Sequence, residues 1–460
     1  MRRPLLAALL LLLAAAPAAG AKPFTVGTGQ QGGIAIDDGG TVFVGWQINT
    51  YEPGDAVQFC VVPPRRTVCA FQTTIPFPGQ GYNRSRVSVL LPAPNVVDVI
   101  VPRTITSQGA FSFLARSVDG GRTFAPAVQI SGEQFAEAAQ GPGGRIALAD
   151  GPTTLRGGLF APDGSSAGTA GSSLGPYLEG VFTDIAVSGE EVLAAGSDAR
   201  TSHAFRLGAG ADPNNVAAWQ QIDPAPASRQ PSVAGLPGGF AVMLEPTGPG
   251  NLFVQRLEGA GWSPPVGLVD AVSNNDFRLV SNARGRLTAL VTYTGYRLVY
   301  MTSTDGGLLW SSTVTAANLG EDYPTSLEGA TNASGAGAAV VDYGLDDKSV
   351  KVTRFTPRTA PVARRTFRGG VRVQIRSVCD DDKLSVLVEA ARGTRRVAPA
   401  TVLRRASFGR ARGARRGFRT RFRARYELRR RTARIPVRVT PRRGKARTLR
   451  LRVRRCGATR

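Results

Sequence analysis

Short apolar runs, each closed by a Gly-containing turn and followed by a second apolar run, recur along the first 355 residues. Thr41–Val44, Val96–Ile100, Arg145–Leu148, Glu190–Leu193, Phe240–Met243, Arg286–Leu290 and Ala336–Val341 are the second runs. The turn anchors before or at their start (Gly40, Asn95, Gly144, Gly189, Gly239, Gly285, Gly335) stand 55, 49, 45, 50, 46 and 50 residues apart. First runs such as Ile34–Ile36, Asp184–Val187 and Phe277–Val280 precede them. Two strands around a tight turn, with room for two more before the next repeat, make a four-stranded blade. Repeats of about 40 to 50 residues with that content predict a β-propeller. Seven anchors predict seven blades. Independent sandwich domains would need about 100 residues each. The run Pro23–Val26 precedes the first anchor and is placed to complete the last blade.

The pattern changes after residue 358. Val371–Val378, Leu384–Ala391, Phe418–Leu428, Ile435–Thr440 and Thr448–Val453 again predict strands. Here Phe418, Phe422 and Tyr426 alternate with Arg419, Arg421, Arg423 and Arg425, and Leu449, Leu451 and Val453 alternate with Arg450, Arg452 and Arg454. Period two assigns the apolar set to one face and the arginines to the other. The expected organisation is a signal peptide over 1–21, the propeller over 22–358, a linker over 359–370, and a small immunoglobulin-like β-sandwich over 371–460. The fold class is all-β throughout.

Charge sharpens that boundary. The chain has 57 Lys plus Arg and 33 Asp plus Glu, a net of +24. Residues 361–460 hold 33 of the basic and 5 of the acidic groups, so this region carries +28 and the preceding 360 residues −4. Only five basic residues are Lys, a bias that codon supply in a GC-rich genome produces unaided. The same supply acts on the propeller, which is slightly negative, so composition does not explain the split. The seven strand arginines named above are therefore the candidate anion-binding face. The partners they suit are teichoic or lipid phosphates, acidic polysaccharide or extracellular DNA. Nucleic acid is disfavoured as a physiological partner, because export separates the chain from it and no stacking motif stands out.

The N-terminus reads as an export signal: Arg2 and Arg3, an apolar core Leu5–Ala16, then Ala19-Gly20-Ala21 as a cleavage site. That core is shorter than the roughly 20 residues a membrane span needs. The cysteines agree with an oxidising compartment. Pairing Val62 with Thr67 across Pro63–Arg66 sets Cys60 opposite Cys69 for a cross-strand bridge. Cys379 and Cys456 bracket the basic domain and are the second expected pair. With no CxxC and one histidine in the chain, metal binding is the weaker use.

Two segments carry a motif. Ser117, Asp119, Gly121 and Phe124, and again Ser303, Asp305, Gly307 and Trp310, spell S-x-D-x-G-x-x-aromatic, 24 and 20 residues from anchor to Asp. Pro162–Ser165 is a decayed third copy. The motif resembles the Asp-box (BNR) repeat of sialidases and other secreted propellers, where it is structural and lies away from the active centre. The Asp accepts backbone N–H groups of its own turn, Gly supplies the required φ, and the aromatic packs between sheets. For a sialidase the resemblance would further imply three arginines gripping a carboxylate, a Tyr–Glu nucleophile, an acidic catalyst, an early Arg-Ile-Pro and six blades. The one Arg-Ile-Pro is Arg434–Pro436, in the basic region.

No catalytic residue is assigned. Arg103, Arg145 and Arg278 read as solvated surface charges. His203, the lone histidine, reads as an ordinary loop or strand residue, which excludes zinc sites needing two His and most His-assisted nucleophiles. Asp342–Asp347 offers oxygen ligands for Ca²⁺ but reads as an ordinary turn, and Asp380–Asp382, between two strands, reads as a hairpin turn. No metal and no cofactor are expected. The expected function is a secreted or cell-envelope-associated, non-catalytic recognition protein, with the propeller as ligand platform and the basic domain as electrostatic tether. A sialidase-like carbohydrate hydrolase and a structural surface protein are the alternatives. Three arginines and a Tyr–Glu pair at the channel mouth would favour the hydrolase, and a channel lined by Ala, Gly and Val the structural protein.

Overall fold

The computed structural model describes residues 22–454 except the connecting stretches 49–55, 82–85, 106–108, 132–136, 142–144, 151–155, 161–171, 174–181, 198–200, 225–227, 248–250, 271–275, 294–296, 320–323, 344–347, 357–362, 367–371, 400–406, 410–417, 428–431 and 442–445, and some single or paired positions, Asp305 among them. Up to Phe355 the described strands assort into seven antiparallel sheets, six of them built from strands consecutive in sequence, in a β-propeller. Their first strands are Gln30–Ile36, Ser88–Ala93, Glu137–Gln140, Phe182–Ser188, Ser228–Leu236, Phe277–Ser281 and Pro324–Thr331. Each first strand lies beside the next, and the seventh lies beside the first. These strands therefore line the axis.

The ring closes by hydrogen bonding. Phe24–Thr28 pairs antiparallel with Ser349–Phe355, so the chain's first strand completes its seventh sheet. Trp46 of the first sheet donates its indole N–H to the Thr28 carbonyl and lies against Gly27 and Gly29, where any Cβ would collide with its ring. Seven separate apolar clusters fill the spaces between consecutive sheets. Phe59 and Val99 belong to the cluster between the first and second, and Trp46 and Val340 to that between the seventh and first. The anchors have a local cause: Gly40, Asn95, Gly189, Gly285 and Gly335 have φ between 60° and 89°, left-handed values that Gly and Asn tolerate best.

One register differs from expectation. Cys60 stands opposite Gln72, not Cys69, because the strand ends at Val62 and the next begins at Phe71. Pro63 and Pro64 have no N–H to continue the ladder, so the connection is longer than four residues. The bridge forms from within that connection: Cys60 and Cys69 are disulfide-bonded, with Cα atoms 5.6 Å apart.

Beyond residue 358 the backbone forms a five-stranded sheet, in which Arg372–Asp380, Lys383–Ala391 and Phe418–Glu427 are neighbours, and a three-stranded sheet of Thr394–Pro399, Thr432–Pro441 and Arg447–Arg454. Ala363–Thr366, inside the stretch expected as linker, is already an edge strand of the larger sheet. Among the described residues no helix is long and apolar enough to cross a membrane.

Candidate functional site

The axis of the ring is charged. Glu137, Arg278 and Glu328 occupy the first strands of the third, sixth and seventh sheets, three residues from the strand end that enters the turn. Asp184 and Ser232 stand at the matching level of the fourth and fifth sheets. Arg86 lies two residues before the second first strand and Asp276 immediately before the sixth. Four blades thus supply one ion-paired cluster.

Both arginines reach both glutamates. The Arg86 Nη1–H donates to Glu328 Oε1 at 2.5 Å and to Glu137 Oε1 at 3.3 Å. Arg278 donates from Nε to Glu328 Oε1 at 2.7 Å and from Nη2 to Glu137 Oε1 at 3.0 Å. A shared donor atom keeps the two carboxylate oxygens closer together than the sum of its two distances. Arg86 Nη2 also lies 3.6 Å from Asp276 Oδ2. Beside this group, Asp184 Oδ2 accepts from Ser232 Oγ and the Val233 N–H, both at 2.9 Å, and Ser232 Oγ in turn accepts from the Leu279 N–H. A polar belt therefore runs across the fourth, fifth and sixth sheets.

The side chains of Arg86, Glu137, Arg278 and Glu328 keep 12–17% of their surface accessible, and Asp276 keeps 25%. They are enclosed but not fully buried. Four carboxylates face two guanidiniums, and the enclosed environment penalises each negative charge. Burial raises Asp184 to about 7 and Asp276 to about 6, and lifts Glu137 and Glu328 above the usual carboxylate range against the pull of Arg86. Burial alone would lower Arg86, but Glu328, Asp276 and Glu137 outweigh it and keep the guanidinium charged. Such a centre can hold protons near neutral pH and offer hydrogen-bond acceptors to a polar ligand.

Three residues differ here from their sequence expectation. Arg278 is an ion-paired axial residue rather than a solvated surface charge. Arg103 is fully buried, its guanidinium 5.4 Å above the Phe77 ring, whereas Arg145 is exposed as expected. Asp342 belongs to a strand, not a turn: it is 1% exposed and its Oδ2 accepts from the Gly32 N–H and Ser326 Oγ, joining the seventh sheet to the first. His203 Nδ1 lies 3.2 Å from Asp223 Oδ2 on the fourth sheet. Among the described residues no group of three His, Cys, Asp or Glu could hold a metal ion.

The motif segments sit apart from the axis, after the third strands of the second and sixth sheets. Asp119 Oδ1 accepts from the backbone N–H groups of Arg122 and Thr123, and its Oδ2 from the Thr123 hydroxyl. The Gly121 N–H donates to Ser117 Oγ at 2.8 Å, and the Gly307 N–H to Ser303 Oγ at 2.9 Å. Gly120 and Gly121 have φ of 75° and 90°, and Gly306 and Gly307 have 72° and 89°, so the paired glycines of the two segments adopt the same left-handed φ. Phe124 meets Phe59 edge-on at 5.1 Å, and Trp310 is buried between the fifth and sixth sheets. Asp305 and the copy at 162–165 lie outside the described residues, as do Cys456 and the side chain of Cys379.

The strand arginines separate into two sheets. Arg419, Arg421, Arg423 and Arg425 belong to the five-stranded sheet, and Arg450, Arg452 and Arg454 to the three-stranded one. They are therefore not one continuous ladder.

No protein-family model matches the chain, and no curated protein sequence does. Solved structures similar to it include the Penicillium chrysogenum α-L-arabinanase complexed with arabinobiose, with 12% identity and a TM-score of 0.44, covering 74% of this chain and 98% of that one. The structure described as YCF48 bound to D1 peptide has 12% identity and a TM-score of 0.42, covering 74% and 97%. The fungal lectin from Aleuria aurantia, described as six-bladed with a fucose recognition mode, has 10% identity and a TM-score of 0.40, covering 74% and 97%. Its description counts six blades where seven sheets are hydrogen-bonded here. Likeness at this level carries no information on ligand or chemistry.

Proposed function

We propose that this chain is an exported, cell-envelope-associated recognition protein: a propeller, each of its seven sheets one blade, that binds a polar ligand at its axis without transforming it, followed by a basic sandwich that tethers it to anionic envelope polymer. One observation carries the binding role. Arg86, Glu137, Asp276, Arg278 and Glu328, from four blades, converge on the accessible axis in a single hydrogen-bonded group. A channel lined by small apolar residues would have suited a purely structural protein. The two axial arginines are each bonded to both Glu137 and Glu328, so they do not form the open cationic grip that sialic acid's carboxylate requires. Acceptors in excess suit a neutral polyhydroxyl or amino-bearing ligand, such as a glycan. The leader-like N-terminus and the Cys60–Cys69 bridge support export.

A carbohydrate hydrolase is the second reading, favoured by one feature: two neighbouring glutamates with raised pKa are what a general acid and its partner need. Each is already held by both arginines, which favours a fixed binding surface. Probing a glycan array with the full chain and with the Glu137→Gln/Glu328→Gln variant tests the proposal. Ligand signals lost in a variant that still unfolds cooperatively are expected. Equal signals from both proteins would place recognition elsewhere.

A further inference from the structure

We propose that the anion-binding surface of the basic region is one face of its three-stranded sheet, and that it takes a phosphodiester chain. This rests on the tether reading above and specifies its surface and partner. Cross-strand partners share a face of a sheet. The register sets Arg434 opposite Arg452, Pro436 opposite Arg450, Arg438 opposite Thr448 and Thr432 opposite Arg454. On the third strand Arg396 stands opposite Thr440 and Ala398 opposite Arg438. Six arginines thus occupy one face with no acidic residue among them, and Arg438, Thr448 and Arg450 are exposed. The alternate positions, Ile435 with Leu451, Val437 with Leu449 and Ala433 with Val453, are apolar.

The five-stranded sheet differs. There Arg421 stands opposite Glu389 and Arg423 opposite Leu387, and Arg419 falls at a register shift. Its arginines are diluted and partly matched by acid. Like charges directly opposite, as at Arg434 and Arg452, destabilise a sheet unless an anion lies between them. Same-face residues along a strand repeat about every 6.8 Å, so Arg450, Arg452 and Arg454 form a row suited to regularly spaced charges.

Phosphodiester chemistry fits this row. Each link carries one charge on two free oxygens, and both oxygens can accept from the forked donors of opposed guanidiniums. Single-stranded nucleic acid would want aromatic platforms, and none of the positions on this face is aromatic.

The test uses the full chain and two variants of equal charge loss, R434Q/R438Q/R450Q/R452Q and R419Q/R421Q/R423Q/R425Q. A third, R434K/R438K/R450K/R452K, keeps the charge but removes the forks. Each is measured for binding to soluble poly(glycerol phosphate), to phosphatidylglycerol vesicles and to polygalacturonate, across 0.05–1 M salt. The first variant is expected to lose at least tenfold in affinity for the polymer or the vesicles, with a shallower salt dependence. The Lys variant should fall between it and the parent, and the second variant should stay within about threefold of the parent. Loss for polymer alone identifies a soluble chain as the source, and loss for both a shared headgroup chemistry. Equal losses in the first two variants would overturn the sheet assignment while leaving the tether reading standing. No loss in either variant would overturn both, and polygalacturonate binding as tight as phosphodiester would overturn the ligand class.

Discussion

Asp184 and Asp276 are held by burial near 7 and 6, well above an ordinary aspartate. A carboxylate whose folded pKa is raised favours the fold below its unfolded pKa, and that contribution is lost as pH rises through the folded value. Thermal stability is therefore expected to fall between pH 5 and pH 8 from this source. Asp184→Asn and Asp276→Asn together should flatten the fall, and a double variant that drops as steeply as the parent would refute the assignment. Asp119 runs the other way. The backbone and hydroxyl of Thr123 hold it well below the carboxylate range, so its contribution persists at neutral pH and is lost only in strong acid. Asp119→Ala should lower the unfolding midpoint at pH 7 without altering ligand binding, since the turn lies away from the axis. Half of the axial centre was legible in the repeats. Glu137, Arg278 and Glu328 each stand seven residues before their turn anchors, Gly144, Gly285 and Gly335. Arg86 and Asp276 lie in the connections, where no strand pattern marks them. Asp184 stands only five residues before Gly189, because its hairpin turn is shorter.

Strand existence and order were readable because each blade repeats the same local physics: an apolar run, a left-handed turn residue, an apolar run. Register was less readable, as Cys60 shows, because prolines in the connection shift where the ladder resumes. Inter-blade fit was not readable at all. A Cβ on Gly33 would lie 1.7 Å from the Val87 carbonyl oxygen, backbone of the neighbouring sheet. Gly33→Ala must therefore displace a strand, and a large loss of folded yield is expected in expression and calorimetry. Trp46→Ala, at the closing seam, should cost about 3–5 kcal/mol by chemical denaturation, as a large core truncation does. Removing the bridge within the first sheet, by Cys60→Ala/Cys69→Ala, should cost about 2–3 kcal/mol in the loop-entropy view, since the cysteines stand only nine positions apart. A seam variant no worse than the disulfide variant would mean that the first strand does not hold the ring closed.

At the scale of the whole chain, charge divides the labour. A slightly acidic ring with an acidic axis precedes a region of net +28, so each part suits a different partner. Attachment through the basic part should weaken steeply with salt, because the Debye length falls from about 10 Å at 0.1 M to about 3 Å at 1 M. Binding at the enclosed axis should change far less over the same range. On the function proposed above, the axis recognises its ligand and leaves it intact. The most direct measurement of this is prolonged incubation of the full chain with a glycan that the array identifies, followed by mass spectrometry of the sugar. An unchanged ligand, bound by the parent and not by the Glu137→Gln/Glu328→Gln variant, is expected. Shortened products that appear with the parent and vanish with that variant would contradict it and make the chain a hydrolase.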